Sequence, residues 1–305
     1  MFHSFTFSIG VILPLYVGAG IVIIQSLRPF SNIFKQALLK RVTIFFGVPD
    51  VYNALAKAKL PWYFMWFNKI RIFVSGAAAL QPKTLAAMRA KFTRAKMLEG
   101  YGLSESSPAA CINPLEKQKD KSVGPAMPGY EIKVVDENMM ELPRGEVGEI
   151  IIRGDNVMQG YLGRPEATAE TIINGWLLTG DMGYMDEEGY LYIVDRKKDL
   201  IISKGINIYP REIEEEIDRF PGVNVSAVIG IPDEKNGEVP VAYVELEDEV
   251  SAESFDMTGL KKHLRERLAN YKIPRQIHLI DELPKNATGK VLKRVLKEQL
   301  KKSEE

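Results

Sequence analysis

The sequence predicts an α/β protein whose layered first part gives way to a small antiparallel sheet and then to a compact α+β tail. Three observations carry this reading. Short apolar runs alternate with helical periodicity over roughly the first 100 residues, glycine-punctuated strands of five or six residues take over from about Lys121, and a strand, a helix, two strands and a further helix follow Asp199. With 305 residues, 46% of them hydrophobic, the chain can bury more than one core. The expected division is an α/β part over 1–120, a β-rich part over 121–195, a connection at 196–198 and an α+β domain over 199–305.

In the first part the candidate strands are "GIVII", "VTIFFG" and "IRIFVSG", with helices over "NIFKQALLKR" and "PKTLAAMRAKF". Fully apolar strands between helices imply a sheet covered on both faces. The uncharged run Ile9–Ile24 is 16 residues long, short of the roughly 20 needed to cross a bilayer, and contains Pro14 and three glycines. A buried helix followed by a buried strand is expected there, and without a basic lead-in it is no signal peptide. Next come "EIKVVDE", "GEIIIRG" and "GYLYIVD", joined by the turns "RGEVGE" and "DEEGY", an antiparallel texture. In the tail, "PREIEEEIDRF" and "MTGLKKHLRERLANY" read as helices. A last basic amphipathic helix would turn Val291, Leu292, Val295, Leu296 and Leu300 inward.

Forty basic residues balance forty acidic ones, so no global field favours nucleic acid or an anionic membrane. One cysteine, Cys111, excludes an internal disulfide framework, and His3, His263 and His278 have no metal-cluster spacing.

Three segments point to chemistry. "EGYGLSES" sets two glycines around Tyr101; glycines permit close approach to a ligand, the ring could stack on a planar base, and Ser104 and Glu105 could engage phosphate and a divalent ion. A tight surface loop would read the same. In "GWLLTGDMG", Asp181 could hold both hydroxyls of a ribose or cap a turn. "LPKNATGK" ends in Lys290 on a backbone read as mobile enough to carry that charge over some distance. It lacks the glycine run and the following Ser or Thr of a phosphate-binding P-loop, since Val291 comes next.

Taken together with "FHSF", "VSGAAAL" and "DRKKDLIISKGINIYPREIE", these segments, in this order, resemble the adenylate-forming (AMP-binding) enzymes, in particular the acyl-CoA synthetases of the fatty-acid–CoA ligase type. The resemblance implies a layered α/β adenylation domain, a small antiparallel β subdomain and a mobile α+β C-terminal lid. It implies a ligase that converts a carboxylic acid, with a medium- or long-chain fatty acid preferred over an aryl acid, through an acyl-adenylate to acyl-CoA with release of AMP and pyrophosphate. ATP, Mg2+ and CoA are the cofactors and co-substrates that follow.

Residue by residue, the resemblance implies that Gly76, Ala77, Ala78, Gly100, Tyr101 and Gly102 line the adenine site, that Ser104 reaches the phosphate and that Glu105 helps to hold magnesium. Asp181 would clasp the ribose, and Arg196 would lie against the nucleotide. Lys198 falls at the hinge, Ser203, Lys204 and Gly205 face the CoA thiol, and His3 guards the acyl pocket. Lys290 would contact the acyl carboxylate and phosphate oxygens during adenylation. The resemblance covers the C-terminal portion of a full-length member: no residue run in 1–305 matches the family's Ser/Thr/Gly-rich phosphate loop. The chain is therefore expected to be inactive alone and to be completed by an upstream polypeptide. The alternatives are a non-catalytic remnant that binds a partner polypeptide and an enzyme that uses a carrier-protein thiol. A cytoplasmic location, at most peripheral to a membrane, is expected, with no transmembrane segment and no nucleic-acid partner.

Overall fold

The computed structural model describes residues 4–24, 31–76, 80–286 and 289–304, the last four of these by backbone alone. The chain divides into two units, one comprising 1–179 and 183–193, the other 180–182 and 194–305.

The first unit opens with a helical run made of α1 (Ser4–Phe7), a π-helical turn (Ser8–Ile12) and α2 (Leu13–Tyr16). No strand follows over 20–24, and Leu15, Tyr16, Val17 and Ile23 are exposed. This corrects the expected buried helix and buried strand. Apolar character alone does not bury a segment, and the described neighbours do not cover this one. Then come α3 (Ser31–Leu39), β1 (Ile44–Gly47), α4 (Pro49–Lys57), α5 (Trp62–Phe67), β2 (Ile72–Ser75), α6 (Pro82–Lys91), β3 (Lys96–Tyr101) and β4 (Cys111–Ile112). They form a sheet in the order β1-β2-β3-β4, parallel from β1 to β3 and antiparallel at β4.

Its core gathers Phe64, Phe73, Met88, Phe92 and Met97 around Tyr52, which is fully buried. The Tyr52 hydroxyl donates to the Phe45 and Val74 carbonyls at 3.1 and 2.8 Å, bridging β1 and β2 near their carboxyl ends. Ligands of parallel α/β sheets gather at that end.

A second sheet comprises β5 (Tyr130–Val135), β6 (Gly148–Gly154), β7 (Ile172–Ile173), β8 (Trp176–Met185) and β9 (Leu191–Arg196), with α7 (Pro165–Thr171) before β7. Its order is β5-β6-β8-β7, with β9 also on β8, and β5 pairs antiparallel with β6 from Tyr130↔Gly154 to Val135↔Glu149. Alternating side chains of these strands, Ile132, Val134, Ile150 and Ile152 among them, fill one core with Leu177 and Leu191.

The second unit holds β10 (Ile201–Ser203), β11 (Ile206–Ile208), α8 (Pro210–Asp218), β12 (Val223–Asp233), β13 (Gly237–Leu246), α9 (Met257–Arg267), β14 (Gln276–Ile280) and α10 (Lys293–Glu304). The sheet runs β11-β10-β13-β12, with β14 parallel on β13. One core packs Ile213 and Ile217 of α8 and Leu260 and Leu264 of α9 against Ile201, Ile208 and Val244. Another packs Leu296 of α10 against Ala227, Ile229, Val241 and Tyr243. Two expected helices shift. The α9 helix ends at Arg267 instead of Tyr271, and α10 starts only at Lys293, which leaves Leu292 39% exposed, not inward.

Candidate active site

In the first unit, β3 ends at Gly100 and Tyr101, and the chain returns at once as β4, pairing Gly100 with Ile112 and Tyr101 with Cys111. The return is so close that a Cβ on Gly102 would overlap the Pro108 carbonyl, and one on Gly100 would lie 2.9 Å from the Cys111 oxygen. The strand return therefore requires glycine at both positions, since any side chain there would collide with the returning backbone. Burial pushes the Cys111 thiol up to about 12, which keeps it from acting as a thiolate.

After Leu103 the backbone makes a tight 3-10 turn over Ser104–Ser106. Ser106 Oγ accepts from Leu103 N–H at 2.9 Å and donates to Leu103 O at 3.1 Å, and the Tyr130 hydroxyl donates to Ser106 O. So locked, the turn leaves Ser104 exposed and Glu105 half-buried. Ser104 Oγ lies 2.9 Å from Ser4 Oγ, and a Cβ on Gly76 would sit 2.6 Å from the Phe5 ring. Those two contacts gather three separated motifs, at residues 4–5, 76 and 100–106, into one place. His3, Ala77 and Ala78 lie outside the described residues.

Glu105 is steered from both ends. Its carbonyl accepts from Met158 N–H at 2.8 Å, and its Oε1 accepts from the Tyr161 hydroxyl at 2.9 Å. Burial, then the bond to Glu105 and its charge, raise the Tyr161 hydroxyl and keep it a donor. Among the described residues no three His, Cys, Asp or Glu side chains group into a metal cage. A single oriented carboxylate suits Mg2+, which takes one or two carboxylates and draws its other ligands from water and substrate phosphates.

In the second unit the charges converge. Asp181 lies within β8, not at a turn, and is only 5% exposed. Arg196, the last residue of β9, places Nε 3.1 Å from Asp181 Oδ1. The Lys290 ammonium is lowered from its ordinary value, by burial first and next by Arg196. Asp181 and Asp199 pull it up and Lys198 pushes it down, so all four charges lie within electrostatic reach of Lys290.

The chain on either side of the Lys290 loop is drawn together by backbone and side-chain bonds. Asn286 N–H donates to Lys290 O at 2.9 Å, Lys290 N–H donates to Asn286 Oδ1 at 2.9 Å, and Leu292 N–H donates to Pro284 O at 2.7 Å. Lys285 and Val291 form an isolated bridge, and Gly289 takes φ 82°. A hairpin results, closed by the Asn286 side chain.

Behind that hairpin, Lys293 at the start of α10 pairs with Glu214 of α8 at 2.7 Å, each side chain 17% exposed. Glu214 Oε1 also accepts from Val228 N–H at 2.7 Å. Burial pushes the Glu214 carboxyl up. Desolvation lowers Lys293, but the charges of Glu214 and Asp195 outweigh it and leave the ammonium raised. Glu214 Oε1 thus accepts from both the Lys293 ammonium and Val228 N–H. Asp195 accepts from the N–H groups of Arg196 and Arg211 at 2.7 and 2.8 Å, tying the end of β9 to the first turn of α8.

Lys198 is exposed in a 3-10 turn over Lys197–Asp199. Lys204 and Gly205, with φ of 51° and 77°, form the two-residue turn of the β10–β11 hairpin, the geometry that twisted strands favour. Both are exposed, whereas Ser203 is 7% exposed and pairs with Ile206 and Gly237. Tyr161, Asn286, Glu214 and Lys293 are the residues of these arrangements that motif reading missed. Tyr161, an aromatic set off by Gly160 and Gly163, carried a signal; Glu214 is one of four glutamates in "EIEEE" and carried none.

A layered α/β sheet ending in a serine–glutamate turn is followed by a unit with a buried aspartate, an arginine and a lysine-bearing loop. The chain belongs to the AMP-binding enzyme family: the family model matches residues 1–162, and the AMP-binding enzyme C-terminal domain matches 212–290. It is 36% identical over 300 residues to a long-chain-fatty-acid–CoA ligase of Escherichia coli O6:H1, covering 98% of this chain and 52% of that protein. A feruloyl-CoA synthase from Amycolatopsis is 37% identical, with 96% of this chain and 59% of that protein covered. Among solved structures, ATP-bound MatB from Rhodopseudomonas palustris matches with a TM-score of 0.88 and 36% identity, over 97% of this chain and 58% of that one. The chain thus spans a little over half the length of these relatives. No helix among the described residues is long and apolar enough to cross a membrane.

Proposed function

We propose that this chain carries the C-terminal part of an AMP-forming acyl-CoA ligase, with a medium- or long-chain fatty acid as substrate. The observation that carries the reading is the grouping of Asp181, Arg196 and Lys290 in one unit, a charge set suited to a ribose, a phosphate and a carboxylate. In the first half-reaction a carboxylate oxygen attacks the α-phosphorus of ATP and pyrophosphate leaves. In the second, the CoA sulfur attacks the acyl carbon and AMP leaves. Lys290 stabilises charge developing on the phosphate and carboxylate oxygens, and the Glu214–Lys293 pair and Asn286 hold it in register. Asp181, paired with Arg196, accepts from the ribose hydroxyls, and Tyr101 stacks on the base. Bound Mg2+, held by Glu105 and the phosphates, would neutralise the leaving pyrophosphate. Lys204 and Gly205 take the CoA side and Lys198 the hinge. The names of the relatives span a fatty acid and ferulate, so acyl choice rests on the apolar lining near Phe5 and Gly76.

The test supplies the upstream half of the enzyme in cis or in trans and measures AMP release with acids of graded chain length and with ferulate. Turnover that requires both halves and prefers the alkyl acids is expected. Residues 1–305 by themselves should stay far below about 1 s⁻¹, the low end of ordinary enzymes. A preference for ferulate would replace the substrate class, and turnover by 1–305 alone would remove the need for the other half.

A further inference from the structure

The zero net charge of the chain conceals a division. Residues 1–98 hold thirteen Lys and Arg against one acid, Asp50, a net charge of +12, and no carboxylate side chain occurs from Val51 to Leu98. In the middle of that stretch α5 reads "WYFMWF". Its Phe64 is 1% exposed and packs on Phe34 with ring centroids 5.1 Å apart. Its other aromatics face water, Trp62 at 72%, Trp66 at 68%, Phe67 at 62% and Tyr63 at 47% exposure.

The helix is fixed, not frayed. Asn68 Nδ2 donates to the Phe64 and Met65 carbonyls at 2.8 and 3.2 Å, and Arg94 Nη1 donates to Trp66 O at 3.4 Å. Lys59 precedes the helix, Lys69 and Arg71 follow it, and all three are exposed, as is Arg94.

We propose that α5 is a docking face for an anionic lipid bilayer. Trp62, Trp66 and Phe67 enter the headgroup layer, while Lys59, Lys69, Arg71 and Arg94 meet the anionic headgroups. Trp and Tyr favour the bilayer interface, where one part of the ring is apolar and the other wet. Basic side chains within a Debye length of an anionic leaflet add attraction, and stable attachment takes two such signals together. A protein partner fits less well, because protein interfaces deplete Lys and bury apolar centres among balanced polar rims. A second copy of this chain would set Lys59, Lys69, Arg71 and Arg94 against the same four cations.

The experiment floats the 305-residue chain with phosphatidylcholine vesicles made with and without phosphatidylglycerol. Binding to the anionic vesicles, declining as salt rises, is the expected result. W62S/W66S should weaken partition by on the order of tenfold or more, and K59E/K69E by a comparable factor. In a W176F background, the fluorescence of Trp62 and Trp66 should move to shorter wavelength on binding. Far-ultraviolet dichroism of each variant checks its fold, and because all four substituted side chains are exposed, one of the two pairs suffices for the comparison. Equal binding to neutral and anionic vesicles, full retention by both variants, or a concentration-dependent dimer abolished by W62S/W66S would each overturn the proposal. So would loss of vesicle binding once the upstream half of the enzyme is supplied, since that result makes the helix an internal interface.

Discussion

The two units hold their candidate residues with different materials. Around Ser104 the first unit uses hydroxyls, aromatic rings and close backbone packing: Ser4 on Ser104, Phe5 on Gly76, Tyr161 on Glu105. Around Lys290 the second unit uses charge: Asp181 with Arg196, Glu214 with Lys293, Asp195 on two backbone N–H groups. The cores differ as well. Both units bury residues completely, Tyr52 and Ile150 in the first and Ile213 and Leu260 in the second, but the first also leaves Leu15, Tyr16, Val17 and Ile23 in water. A unit that closes its own core can hold charges at fixed spacing. One with uncovered apolar surface supplies shape and waits on a neighbour.

The comparison breaks first at Lys290. In the completed enzyme, Lys290→Ala should slow acyl-adenylate formation by on the order of 10²- to 10³-fold and leave thioester formation from preformed acyl-adenylate nearly unchanged. Single-turnover timing of each step separates the two, and equal slowing would assign Lys290 to folding or docking.

Self-sufficiency is the next point of attack. Residues 194–305 should unfold cooperatively by circular dichroism, whereas 1–120 should not. A shorter piece, 199–305, lacks the Asp195 carboxylate on Arg211 N–H and should be less stable by about 1 kcal/mol in urea titration.

The buried pair sharpens the contrast. Lys293→Met leaves Glu214 buried without its cation and should cost roughly 3 kcal/mol of stability, while the double change E214Q/K293M should recover most of it. The same single change should slow adenylation by moving the Lys290 hairpin, with the CoA step less affected.

Asp218, on the same helix as Glu214, adds a pH slope to the contrast. Burial, the largest cause, pushes the Asp218 carboxyl from its ordinary 3.8 up to about 7, against the bond from Ser226 Oγ. Between about pH 4 and pH 7 the folded state keeps a proton that the unfolded chain has lost. Stability therefore falls as pH rises through that window and levels off above it. Asp218→Asn should flatten that portion of the stability–pH curve, measured by urea midpoints across the range.

Much of this was readable in one dimension, for identifiable reasons. Strands at "VTIFFG", "IRIFVSG", "GEIIIRG" and "GYLYIVD" announce themselves because a buried strand must be apolar on short runs bounded by turn residues. The Lys204-Gly205 turn is not among the sequence expectations, which place one strand before the helix where the structure makes the β10–β11 hairpin with two positive φ angles. "GIVII" misled for the complementary reason: apolarity says what a segment would gain from burial, not whether anything is there to bury it.

By itself, then, the sequence determined the α/β class and most of the elements, because periodicity is a local property, while the motifs at Ser104, Asp181 and Lys290 stand out through the family they resemble. Only the tertiary structure decided that the returning chain packs against Gly100 and Gly102, that the Asn286 side chain accepts from Lys290 N–H, and that Glu214 among its neighbouring glutamates is the one that meets Lys293. Each depends on which distant residue arrives at a given point in space. Helical glutamates at 212, 214, 215 and 216 are chemically alike until a fold desolvates one of them and sets a cation against it.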